Sequence, residues 1–68
     1  MDTQIEVNGT ARALPEPPTV GGLFGELGLE AAGTAALVNG EVVDQARYRE
    51  TGLEPGDVVE IVRMVGGG

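Results

Sequence analysis

The sequence predicts an α+β domain, a mixed sheet of about five strands with one helix packed on one face. Three observations predict it. Two Asn-Gly dipeptides, Asn8-Gly9 and Asn39-Gly40, each separate short runs suited to strands, the strongest short-range signal for a hairpin. One stretch, Thr19 to Gly28, carries apolar residues at helical spacing. A final run, Val58 to Val65, is the longest strand candidate and lies directly before the last glycines.

The elements follow in order. Thr3 to Asn8 alternates polar and apolar, so Ile5 and Val7 face inward. Thr10 to Leu14 is the return strand, stopped by Pro15, Pro17 and Pro18, which force an extended loop. Thr19 is the expected N-cap, and Gly28 stands where a C-terminal glycine belongs. Between them Val20, Leu23, Phe24 and Leu27 share one face. Gly21, Gly22 and Gly25 each cost about 1 kcal/mol against alanine in a helix, so packing or a close backbone approach must require them. Glu30 to Gly33 reads as loop, Ala35 to Val38 as a short apolar strand, and Glu41 to Val43 as a fourth strand. Asp44 to Thr51 is irregular, with a short helical turn bearing Tyr48 as a half-buried lid over the core. Glu54-Pro55-Gly56-Asp57 is a tight turn with proline at its second position. A hairpin, a helix and further strands suit the β-grasp architecture, in which the last strand lies beside the first and runs past the domain edge.

Composition narrows the chemistry. The chain has 68 residues, enough for one small domain. It contains no cysteine and no histidine. The usual thiolate nucleophile, general base and soft metal ligands are therefore missing, and an internal active site is not expected. Eleven carboxylates against four arginines set the net charge at −7, which disfavours nucleic acid and anionic membranes and favours an electropositive protein partner. No apolar run approaches the roughly 20 residues of a membrane span, and Met1 to Gln4 lacks a signal-peptide pattern. The expected location is the cytoplasm and the expected free state a monomer.

The candidate site is the end of the chain. Residues 1–64 are expected to form the domain and 65–68, Val65-Gly66-Gly67-Gly68, a flexible tail. Ordering a residue costs roughly 1–2 kcal/mol of backbone entropy, and glycine costs the most. A packed domain gains nothing from three terminal glycines. A tail threaded into a narrow pocket gains much, because it carries no Cβ and presents the Gly68 carboxylate unhindered. Four extended residues reach about 13 Å. The competing reading is a frayed end. With no lysine in the chain, no ε-amine is at hand to attack an activated Gly68. In the last strand Glu60 points to water, so Val59 and Ile61 face the helix. Val58, Val62 and Met64 then share the outer face with Glu60, an apolar strip leading to the tail and a candidate docking surface. Cover by a short loop is the alternative.

Other constellations are weaker. Gly21-Gly22-Leu23-Phe24-Gly25 lacks the lysine and hydroxyl residue of a phosphate loop. Glu41 with Asp44 and Asp57 with Glu60 lack metal-loop spacing and read as solvated turns, and no metal site is expected.

Taken together, these residues resemble the ThiS family, the sulfur-carrier proteins of thiamine biosynthesis. The resemblance covers nearly the whole chain and rests on Asn8-Gly9, Thr19-Val20, Leu37 to Val43, Pro55 to Arg63 and Val65 to Gly68. The chain departs from it at Asp44, where many members have proline, and in its glycine-heavy helix. The resemblance implies a ubiquitin-like β-grasp fold and a protein that other enzymes act upon. A ThiF-like enzyme would consume ATP-Mg to adenylate Gly68. A cysteine desulfurase would supply sulfur to give a thiocarboxylate, and the thiazole synthase ThiG would take that sulfur. No cofactor would be bound by the chain itself. Alternatives are the small subunit of molybdopterin synthase, a carrier for another sulfur pathway, a ubiquitin-like protein modifier, and an interaction domain with an inert tail.

Overall fold

The computed structural model describes residues 3–63. Five strands and one helix appear in the expected order: β1 (Gln4–Val7), β2 (Thr10–Ala13), α1 (Val20–Leu27), β3 (Thr34–Val38), β4 (Glu41–Val43) and β5 (Val58–Arg63). A short 3-10 turn, Gln45–Arg47, lies between β4 and β5. The sheet order is β2-β1-β5-β3-β4, with β5 in the centre. It runs parallel to β1 and antiparallel to β3. This is the mixed sheet expected from the sequence, with the last strand beside the first.

Both hairpins turn through left-handed residues. Asn8 and Gly9 have φ of 50° and 83°, and Asn39 and Gly40 have 51° and 85°. Asparagine tolerates this region better than most residues and glycine enters it freely, which is why Asn-Gly specifies the turn. The register that results puts Ile5 and Val7 of β1, Ala36 of β3 and Val59 of β5 on one face. Helix α1 covers that face with Val20, Leu23 and Phe24.

The helix ends match the local chemistry. The Thr19 Oγ1 accepts the Gly22 N–H at 3.0 Å, and Gly28 at φ 68° closes the C-terminus. Burial of Ile5, Val20, Leu23 and Val59 is essentially complete, and each such side chain contributes about 1.5–3 kcal/mol. Tyr48 departs from the half-buried lid expected of it. It is 4% exposed, with its ring centroid 4.8 Å from that of Phe24. The small core lacks any other aromatic pair, so the irregular segment folds inward to complete it.

The three helix glycines have different reasons. A Cβ on Gly22 would overlap the Pro17 carbonyl oxygen, while one on Gly25 would meet nothing within 4 Å. A Cβ on Gly21 would lie between these cases, 3.4 Å from the Arg49 Cα and the Tyr48 carbonyl oxygen. The N-terminus of α1 is pressed against the proline loop, and glycine at position 22 permits that approach.

Asparagine has a second task at both turns. The Asn8 side chain accepts the Ile61 N–H at 2.8 Å and donates to the Ile61 carbonyl at 3.3 Å. It stands in for the residue that β1 would supply had it not turned. The Asn39 side chain accepts the Val58 N–H at 2.9 Å and donates to Asp57 at 3.1 Å. The two turns thus grip the central strand from opposite sides. Asn8→Gly retains the turn but removes the grip. It should cost about 1 kcal/mol, and hydrogen exchange should show the Ile61 amide losing protection. Unchanged exchange at Ile61 would mean the side chain does not hold β5.

Candidate functional site

The candidate site is built on β5. Its inward residues Val59 and Ile61 pack toward α1, and its outward residues are Val58, Glu60 and Val62. The parity read from Glu60 holds. Val58 is 43% exposed and Val62 46%, so no loop among the described residues covers them. The remaining expected site residues, Met64 and Val65 to Gly68, lie outside the described residues.

The outer face is broader than the expected strip. Register places Leu37 beside Glu60, Ala35 beside Val62 and Val42 beside Leu37. Val42 is 72% exposed. Valine and leucine left open on one face, with the carboxylates of Glu6 and Glu60 at its β1 side and centre, form a surface suited to a partly apolar partner. Sequence reading missed Val42 because an edge strand of three residues carries no clear periodicity. Its pairing with Leu37 follows from the Asn39-Gly40 turn and was available as a signal.

Among the described residues no group of three or more Asp or Glu could hold a metal ion. Asp44 caps the 3-10 turn by accepting the Ala46 N–H at 3.1 Å. Asp57 accepts the Glu54 N–H at 2.9 Å and the Asn39 amide at 3.1 Å. Both carboxylates serve turns, as expected. The glycines at the start of α1 cradle no phosphate either. The Gly21 N–H is taken by the Tyr48 carbonyl, the Gly22 N–H by Thr19 Oγ1 and the Leu23 N–H by the Thr19 carbonyl. Among the described residues no helix is long and apolar enough to cross a membrane.

An Asp at position 62 would place a charge in the middle of the apolar face. Val62→Asp should weaken binding to a protein partner docked on this face about tenfold or more. The change in stability should stay within about 0.5 kcal/mol, because the site is exposed. Calorimetric titration beside a thermal melt checks both, and unchanged affinity would place the docking surface elsewhere.

Known proteins share this geometry. The chain is 28% identical to the thiamine biosynthesis protein ThiS from Geobacter metallireducens, whose crystal structure superposes with a TM-score of 0.78 over 96% of this chain and 99% of that one. It is also 35% identical over 65 residues to a thiazole synthase from Paramagnetospirillum magneticum. That match takes in 96% of this chain but spans only 20% of the relative's length. The ThiS family model matches residues 4–68. Sheet order, turn chemistry and these matches agree: the chain belongs to the ThiS family.

Proposed function

We propose that this protein is a sulfur carrier of thiamine biosynthesis and that its reacting atom is the carboxyl carbon of Gly68. The observation that carries the reading is the placement of β5. It is the central strand, gripped on both flanks and bordered by an open apolar face, and it leads in sequence straight to Gly66-Gly67-Gly68. A strand so held fixes the point from which a tail departs.

A carboxylate resists nucleophiles because of its charge and its poor leaving group. Transfer of AMP from ATP to the Gly68 carboxylate, with release of pyrophosphate, removes both obstacles. The terminal sulfur of a desulfurase persulfide then attacks the acyl carbon and AMP departs. A second thiol cleaves the resulting acyl disulfide and leaves the thiocarboxylate. Thiazole synthase then accepts the sulfur. The side chains of the carrier do none of this chemistry. They supply a docking face, and the tail supplies reach. The ATP-Mg belongs to the activating enzyme. A carrier of this kind works in the cytoplasm with the enzymes that charge and unload it.

Thiazole formation is favoured over molybdenum-cofactor synthesis by the two names among the matches, ThiS and thiazole synthase. Incubation with ATP, a ThiF-like enzyme and a persulfide donor should raise the intact mass by about 16 Da as oxygen is replaced by sulfur at the activated acyl group. An unchanged mass with an enzyme competent on another carrier would overturn the reading.

A further inference from the structure

The helix is shorter than the sheet it covers. Eight residues of α1 span about 12 Å, while six residues of β5 span about 20 Å. Where α1 stops, the inner face of the sheet continues and a cleft of about 380 Å³ opens, at the lower end of ligand-cleft volumes. Val7, Leu27, Leu29 and Ile61 line it, together with the guanidinium-bearing Arg12 and Arg63. Arg12 lies opposite Ile5 on β2 and Arg63 opposite Thr34 on β5, so both belong to the inward face of the sheet.

The charge of this cleft is out of keeping with the chain. The protein carries a net −7, yet two of its four cationic side chains line this cleft. Neither is strongly engaged. Arg12 touches Glu26 at 3.4 Å with both side chains about a third exposed, a pairing that contributes little in water. The Arg12 Nε is buried and has no acceptor. Arg63 makes no ion pair among the described residues.

We propose that the cleft between the end of α1 and the Arg63 end of β5 is a second docking site, which takes an acidic side chain and its apolar neighbour from an enzyme that engages the tail. Charge complementarity sets the acidic half of that motif, because arginine binds carboxylates through paired N–H donors. The apolar walls set the other half. Position selects the enzyme. Met64 follows Arg63 directly, and five extended residues reach about 17 Å, so any protein that receives Gly68 comes within contact range of this end of the domain. The cleft lies on the helix side of the sheet, whereas Val58 and Val62 lie on the other. A carrier that must meet both a charging and an unloading enzyme thereby has two separate faces beside one tail. This inference rests on the sulfur-carrier reading.

Arg12→Gln, Arg63→Gln and, as a control, Ala46→Glu each make the chain one unit more negative. Ala46 is exposed on the 3-10 turn and outside the cleft. Affinity for the cognate thiazole synthase and for the cognate adenylating enzyme is measured for each at low and high salt, after melts confirm folding. Arg63→Gln should weaken binding to at least one enzyme about tenfold at low salt, with a smaller salt dependence than the parent. Arg12→Gln should follow it, and Ala46→Glu should stay within about twofold of the parent. Should Arg12→Gln disturb the fold through its Glu26 contact, Arg63→Gln alone decides. If Arg63→Gln matches Ala46→Glu on both enzymes, the cleft is not a docking site. Thiocarboxylation of the parent is read separately by mass, so a carrier that gains sulfur while these variants bind normally overturns this proposal and leaves the carrier function standing.

Discussion

Gly22→Ala should destabilise the domain by about 3 kcal/mol, the upper part of the range for overpacking a fixed site. The added methyl would overlap the Pro17 carbonyl oxygen and lie 3.0 Å from its carbon. Those are backbone atoms and cannot swing aside as a side chain would. The loop that carries them is tied down, since the Thr19 N–H bonds to the Pro17 carbonyl at 2.8 Å and the Leu53 N–H to the Pro18 carbonyl at 2.8 Å. Moving the helix instead would lose the Thr19 cap and the burial of Val20 and Leu23. Alanine recovers about 1 kcal/mol of helix propensity at this position, which does not offset the clash. A domain of this size has roughly 3–10 kcal/mol in all, so the melting temperature should fall by about 15 °C. Gly25→Ala supplies the contrast. Its Cβ enters open space, so the same substitution three residues on should raise stability by about 0.5–1 kcal/mol. Thermal and urea melts of the two variants settle it. Equal behaviour would mean that Pro17 is not pressed against the helix.

Deletion of Gly68 should reduce thiocarboxylate formation at least about 100-fold. The shortened chain still ends in a glycine carboxylate, so its intrinsic reactivity is unchanged and its folded domain is untouched. What changes is reach. The reacting carbon stops one residue short, about 3.5 Å from where the activating enzyme holds ATP, and a misplacement of about 1 Å already costs about 100-fold where reaction depends on alignment. Intact mass over time under single-turnover conditions reads the rate. A chain ending at Gly67 that gains sulfur as fast as the parent would remove Gly68 from its assigned role.

Much of the fold is legible in local chemistry. Asn8-Gly9 and Asn39-Gly40 require left-handed backbone that few other pairs adopt, so both hairpins can be placed from four residues. Thr19 and Gly28 bracket the helix because a hydroxyl satisfies a free N–H and a glycine accepts positive φ. Once Glu60 is set facing water, the alternation of a strand assigns Val58 and Val62 outward and Val59 and Ile61 inward. These inferences reach across a few residues, where covalent geometry limits the choices.

Other features require distant segments to meet. Gly22 looks like a helix defect until Pro17 is seen against it. Asn8 looks like a turn residue alone until its amide is found on Ile61. Tyr48 becomes fully buried because Phe24 lies beside it. Arg12 and Arg63 share a cleft only because β1 and β5 run parallel and α1 stops at Leu27. The amino-acid order therefore specifies which backbone angles are allowed and which face of each element is apolar, since those depend on neighbours along the chain. Which side chains converge, and where the surface is left open around them, depends on sheet order and on the length of the helix above it. Those are properties of packing between segments remote in sequence, and no local pattern encodes them.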